Sequence, residues 1–483
     1  RQFHLQRHAA QKGNVALQVE LARAYLSAGR LADARSLLQQ QPGARLGPTG
    51  RSLQALTLIL GQTPDSAKAA IDGWAATNTD DADAQVVAAQ YFQQVGDLPA
   101  AQSAYQRARQ LAPANIDAAL GLADLALRRG DNAAAEAGLR EIIQQYPREE
   151  RGYVALALML RRQGRTQDAE NLLTQSIGAS PAVVESRLLL AELAVARKDT
   201  ALMKSMISQA LKVARDKPAT LLRVGDIQLA SGDAAQALAS FDEAARAGSQ
   251  QAMLRAGAVE ASRQRYDVAL KRVAQFRKAG GPEAAAEELR GGVLMAQKKY
   301  AEAAVAYGNS LKLRPTSSVV AKVFMARSEA GAAQPESVLK SWLERNAADH
   351  PVRLLLADHL LAQNQYSAAA NQYEVIAKSA PAPVVLNNLA WTYQQLKDSR
   401  AVETARSAYE ASGGNNPLIA DTYGWILSVN GRNGEALPLL KKAAEALPDR
   451  PDVLTHYADA LENAGSSAEA ATLRARIKRL AGA

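Results

Sequence analysis

The chain has 483 residues, a net charge of +9, 48% hydrophobic residues, and only 5% aromatics. It has no cysteine, which excludes disulfides, thiolate nucleophiles, Cys-based zinc sites and iron–sulfur clusters. No run of 18 or more uncharged apolar residues occurs, so no transmembrane helix is predicted, and 57 Lys and Arg against 48 Asp and Glu is a thin basic excess. The apolar residues are mostly Ala and Leu, strong helix formers, and β-branched or aromatic runs are scarce, which predicts an all-α protein.

Residues 1–13 read as the second helix of a unit cut short, so more of the same architecture is expected before Arg1. The chain starts at Arg rather than Met, so a leader is expected to have been removed or left out. His4 and His8 have the spacing of a metal pair but no third ligand, and no metal is expected there. From residue 14 a fixed period takes over. Gly96, Gly130, Gly164 and Gly232 keep steps of 34, 34 and 68, and Ala101, Ala135, Ala169 and Ala237 follow each by five. Pro113, Pro147 and Pro181 hold the same period. Gln264 and Lys298 take the glycine position after a slip of two positions, and Gly431 and Gly465 restore it.

Each unit predicts one helix, a glycine-centred turn and a second helix. Val87, Ala88, Tyr91, Phe92 and Val95 form the apolar face of a first helix, and Gly96 suits a left-handed cap. Pro99 fits the opening turn of the second helix, Ala101, Tyr105 and Ala108 share its inner face, and Pro113 stops it. Turns are expected near residues 29, 62, 96, 130, 164, 198, 232, 264, 298, 331, 364, 397, 431 and 465. The unit around Gly331 is the least regular, with Pro335 early in its second helix, and Gly280–Pro282 reads as a joint between repeats. Residues 470–483 carry Arg474, Arg476, Lys478 and Arg479 and read as a solvated capping helix.

These residues resemble the tetratricopeptide repeat (TPR) family, as in Leu21, Ala22, Tyr25, Gly29 and Ala34, or Ala89, Phe92, Gly96, Ala101, Tyr105, Ala108 and Pro113. The resemblance implies an all-α, right-handed superhelical solenoid of about fourteen helix pairs over 14–469.

No HExxH, P-loop, GxGxxG or GxSxG motif occurs, so neither catalysis nor a cofactor is expected. His350, His359 and His456 stand apart from any ligand cluster, and His456 reads as a surface or packing residue. Arg128, Arg161 and Arg162 form a basic cluster over two repeats. It lacks the interleaved aromatics of a nucleic-acid track, leaving solvated helix faces or contact with an acidic partner. The carboxylate clamp of chaperone-binding TPR domains is absent. Val87, Gly121, Ala155, Leu189 and Arg223 occupy its inner position, and only Asn388 matches, beside Thr422 and His456.

Residues 383–470 carry a narrower resemblance. Asn387-Asn388-Leu389-Ala390-Trp391 followed by Thr422-Tyr423-Gly424-Trp425 is similar to the closing repeats of the TPR lipoproteins of bacterial exosortase/PEP-CTERM systems. That resemblance implies a non-catalytic, periplasmic scaffold for other envelope proteins or their polysaccharide product, attached to a membrane only through an N-terminal lipid anchor outside this sequence. Two alternatives stay open: the periplasmic TPR arm of an outer-membrane polysaccharide exporter, and a cytoplasmic peptide-binding adaptor or co-chaperone. Trp391 and Trp425 lie one repeat apart, hence in register. With Asn387, Gln394, Gln395, Asp421 and Ser428 they form a candidate groove for a peptide or sugar. The competing expectation is that the indoles pack between helices, closing gaps left by Ala390 and Gly424.

Overall fold

A computed structural model describes residues 14–27, 30–39 and 46–481. Segment 1–13, with His4 and His8, and the turn expected at Gly29 lie outside the described residues. Among the described residues there are 28 helices and no strand. They form two compact units, Arg1–Ser249 and Gln250–Ala483, each with seven consecutive helix pairs.

Each pair follows from its turn. In the unit of Ala82–Gln94 and Leu98–Leu111, Gly96 takes φ +84°, and the Asp97 N–H reaches back to the Phe92 carbonyl at 2.8 Å. This satisfies a carbonyl that the helix end would otherwise leave open. Asp97 then caps the next helix, its carboxylate accepting from the Ala100 N–H at 3.1 Å. Asp131, Asp199 and Asp233 repeat that cap in the same register. The left-handed residue recurs at every expected turn from 96 onward. At Lys198, Gln264, Lys298, Asn364 and Lys397 it is not glycine, yet φ stays between 55° and 62°. The early turn expected at 62 is made by Gly61.

Small residues set how closely the two helices of a pair approach. Ala101, Ala135, Ala169, Ala237, Ala269, Ala303, Ala369 and Ala436 are each 0% exposed. The first helices add buried small residues of their own, Ala89, Ala157, Gly225, Gly291, Ala390 and Gly424. At Gly225 the space is already taken: an added Cβ would lie 2.4 Å from the Phe241 ring. Burial is divided among several clusters along the chain. One runs from Ala119 to Ile227 in the first unit and another from Val320 to Ala460 in the second. Apolar surface is therefore covered mainly by sequence neighbours, as in other repeat arrays.

The pair Ser317–Glu329 and Ser337–Leu343 departs from the rest, because its second helix has only 7 residues. Pro335, which lacks an N–H, sits in the turn that displaces the helix start. The short helix is held through Leu339 and Leu343, both buried, and through Trp342, whose indole N–H donates to Asp349 Oδ2 at 2.7 Å. Gly280–Pro282 joins two helices inside the second unit. The basic tail belongs to Ser467–Ala481, the second helix of the last pair, whose Leu473, Ile477 and Leu480 pack against the buried cluster that includes Ala443, Val453 and Leu454. No helix among the described residues is long and apolar enough to cross a membrane.

Candidate functional site

The candidate groove residues lie on two first helices, Pro383–Gln395 and Pro417–Val429. Proline opens both helices, and Asn416 caps the second by accepting from the Leu418 and Ile419 N–H groups at 3.0 and 3.3 Å. Val385, Leu389 and Tyr393 of the first, and Ile419, Tyr423, Ile426 and Leu427 of the second, turn into the core.

The other face carries the candidates. Along the first helix, positions 384, 387, 391 and 395 step by three or four and share one side. Val384 is 56% exposed there, and Asn387, Trp391, Gln394 and Gln395 are half-buried. Along the second, Leu418 and Val429 are 45% and 54% exposed, Trp425 is half-buried, and Asp421 and Ser428 are buried. Neither indole is sealed from solvent. The space beside Gly424 is filled by Leu440, whose Cγ would meet an added Cβ at 2.7 Å, so Trp425 does not close that gap.

Each indole rests on a different ring. Trp391 meets Tyr366 edge to face, with centroids 5.9 Å apart at 66°. Trp425 lies over His456 at 5.4 Å and 31°. His456 is fixed in turn by Asp421, Nδ1 to Oδ2 at 2.9 Å, which makes it the packing residue that holds Trp425. The two helices are tied by Asn430, whose Nδ2 donates to Gln394 Oε1 at 2.8 Å. Ser428 Oγ donates to Asn433 Oδ1 at 2.9 Å. Asn387 Oδ1 and Asp421 Oδ1, one repeat apart, have no hydrogen-bond partner, so two acceptors recur beside the two indoles.

Behind the face, two buried tyrosines and one carboxylate of the next repeat are held in one protonation state. Burial, then the hydroxyl's hydrogen bond to Asp358, raises the Tyr373 phenol, and burial with Glu374 does the same for Tyr393. Both stay protonated donors. The Arg450 guanidinium beside Asp452 holds that carboxyl down at about 2, so it is ionised at neutral pH. No group of three or more His, Asp or Glu among the described residues could hold a metal ion.

The face as a whole can hold an extended chain by aromatic and apolar contact, with amides to meet backbone groups. The sequence pattern located Trp391, Trp425 and their polar neighbours. It missed Val384, Leu418 and Val429, although the one-repeat step from Val384 to Leu418 was a usable signal.

The basic cluster divides differently. Arg128 bonds to Asp124 at 2.8 Å and Arg161 to Glu192 at 3.4 Å, while the exposed Arg162 has no side-chain partner among the described residues.

One profile of the tetratricopeptide repeat family matches residues 93–158, and a second matches 154–202, 254–318 and 424–482. No curated protein matches the sequence significantly. Among solved structures, the APC/C hetero-tetramer Cut9–Hcn1 aligns at 15% identity over 95% of this chain and 92% of that one, with a TM-score of 0.35. A tetratricopeptide repeat protein from Parabacteroides merdae aligns at 14% identity over 51% of this chain and 98% of its own, with a TM-score of 0.36. A thermophilic TPR protein from Thermus thermophilus aligns at 19% identity over 37% of this chain and 98% of its own, with a TM-score of 0.31. Likenesses this loose carry no argument. The repeat profiles and the helix pairs do: this chain carries tetratricopeptide repeats, the architecture of a protein-interaction scaffold.

Proposed function

We propose that the protein is a scaffold that holds partners without converting them, and that the face bearing Trp391 and Trp425 docks an extended segment of a protein partner. The observation that carries this reading is the pair of half-buried indoles in register, flanked by exposed Val384, Leu418 and Val429. Exposed apolar side chains gathered on one face mark interaction sites more often than single ones do. The resemblance of 383–470 to exosortase-linked TPR lipoproteins supports a periplasmic setting. The partners there are envelope proteins of exopolysaccharide production or sorting, or their polymer.

A photo-crosslinking residue at Leu418 tests the docking face in cells of the source organism. The expected adduct joins an envelope protein, and the Trp425→Ala variant loses it. A control at Val305, which is 62% exposed on a second helix, gives none. Equal adducts at both positions would remove the assignment. Trp391→Ala and Trp425→Ala should each weaken binding by about two- to tenfold, the equivalent of one aromatic contact, with helix content unchanged. If the indoles serve packing alone, both variants instead destabilise the last three pairs by about 3–5 kcal/mol with no specific loss of binding. Fractionation of cells tests the setting: recovery in the cytosol would exclude the periplasm.

A further inference from the structure

We propose that the second unit binds an acidic polysaccharide along a row of exposed cations at one end of its helix pairs: Lys278, Lys312, Arg345 and Lys378. The row is independent of the Trp391–Trp425 face.

Each cation stands fourteen residues after a left-handed turn residue, in order Gln264, Lys298, Gly331 and Asn364. All four therefore hold one position in four successive pairs, in or just beyond the last turn of the second helix. All are exposed, and none has a side-chain partner among the described residues. A cation there complements the carbonyl end of its own helix. Helix stability alone does not require it. Gln110, Gln144 and Gly178 hold the same position in three complete pairs of the first unit, and Ala411 and Glu445 hold it in the two pairs that follow the row.

The carboxylates at this end do not cancel the row. Glu283 is taken by Arg277 at 2.6 Å, and Asp349 by the Trp342 indole. Arg314 adds a further cation, 3.9 Å from Glu288. Among the described residues that run from the end of each of these second helices to the start of the next helix, Glu344 is the one carboxylate left unpaired, against the four unpaired cations.

The form of the row selects the occupant. In a repeat stack each unit is rotated slightly from the last, so equivalent positions trace a curved line. A flat anionic bilayer would meet only part of such a line, and duplex DNA, with a persistence length of about 50 nm, resists following it. Single-stranded nucleic acid needs rings on which to stack, and no exposed aromatic lies within one turn of any of the four cations. A disordered acidic peptide would have several residues to order between one cation and the next. Fixing that backbone costs more than exposed ion pairs return. A pyranose ring is rigid before it binds, so a chain of uronates reaches successive cations with less loss of freedom. Four weak contacts on one chain then reinforce each other, because every contact after the first is intramolecular.

The test uses the full chain and a fluorescein-labelled oligogalacturonate. Binding is expected, with an affinity that falls as salt screens the charges, while neutral dextran is not held. Lys278→Gln, Lys312→Gln, Arg345→Gln and Lys378→Gln together should weaken binding by at least about tenfold, from about two- to fivefold for each exposed pair. Gln110 and Gln144 show that the position accepts glutamine. The control removes the same charge from the opposite end of the same unit: Arg263→Gln, Lys298→Gln, Lys299→Gln and Lys397→Gln, all exposed and without a side-chain partner among the described residues. It should change the affinity by less than about threefold. Circular dichroism checks the fold of both variants. Trp391→Ala and Trp425→Ala should leave the affinity unchanged, which separates the row from the C-terminal face. The proposal is overturned if oligogalacturonate does not bind, or if both quadruple variants lose affinity equally. It is overturned equally if oligoglutamate of the same charge, oligothymidylate or phosphatidylglycerol vesicles bind as tightly as the uronate.

Discussion

Five of the turn residues sit in the left-handed region without being glycine. For an L-residue that conformation costs roughly 1–2 kcal/mol, and glycine avoids it at the expense of a freer unfolded chain worth about 0.4–1 kcal/mol. The difference predicts that Gln264→Gly, at φ +59°, stabilises its repeat by about 0.5–1 kcal/mol. Asn364→Gly should gain nothing, since asparagine tolerates the region and its Oδ1 accepts from the Tyr366 hydroxyl at 2.7 Å. Hydrogen exchange of the flanking helices measures both, with a gain at 364 equal to that at 264 counting against the argument. The opposite error is set at Gly225, where any side chain meets the Phe241 ring. Gly225→Ala should cost about 1–3 kcal/mol, as overpacked contacts do, read as faster exchange in Pro218–Ala230. The turn positions were legible in the sequence because each answers to one local demand, repeated at one spacing; the tight fit at Gly225 was not, because it depends on where the Phe241 ring lies. The pairing of Arg128 and Arg161 was not, because their partners were not fixed by the pattern that located them: Asp124 lies one turn away and Glu192 in the next repeat.

Helices differ in how well their own sequence holds them, and the short helix Ser337–Leu343 is tied to its neighbours through Asp349 as well as through buried Leu339 and Leu343. Asp349 accepts from the Trp342 indole, from the Ser317 hydroxyl and, at 3.1 Å, from the Val352 N–H, linking three helices and capping the third. Burial alone would raise its pKa, but these hydrogen bonds outweigh it and hold the carboxyl below its ordinary value. A depressed carboxylate contributes stability above its unfolded pKa of about 3.9, and that stability is lost as pH falls through the lower folded value. On acidification below about pH 4, Ser337–Leu343 should therefore loosen. Trp342 fluorescence, with the other three Trp replaced by Phe, reads that change. Asp349→Ala should cost about 1–3 kcal/mol at neutral pH and remove this share of the acid sensitivity. An acid profile unchanged by Asp349→Ala would show that the link does not bear on stability. The irregularity of this pair was readable from Pro335. Its remedy was not, since nothing in a repeat pattern marks an aspartate that serves two helices behind it and one ahead. The same holds for the indoles: their register was legible, but their resting places on Tyr366 and His456 depend on side chains outside the repeat consensus.

Across the whole chain, burial divided among clusters of neighbouring pairs means that damage should stay local. Ala135 is 0% exposed at a helix crossing, and Ala135→Leu should overpack it at a cost of about 1–3 kcal/mol. Exchange should rise in Ile116–Arg128, Asn132–Gln145 and their immediate neighbours while helices beyond Gln250 keep their protection. A uniform rise along the chain would contradict coupling between neighbours. The turns carry one more consequence, which concerns inheritance. Left-handed residues at 96, 130, 164, 198 and 232 are evenly spaced, so the gene holds equivalent joints in one reading frame. Excision of 131–164 would place Arg165 after Gly130, where Asp131 now stands, and the new joint would have the same backbone course as the old. Misaligned recombination between copies can therefore add or remove whole helix pairs without a faulty seam. The length of the interaction surface is then a trait that changes in unit steps.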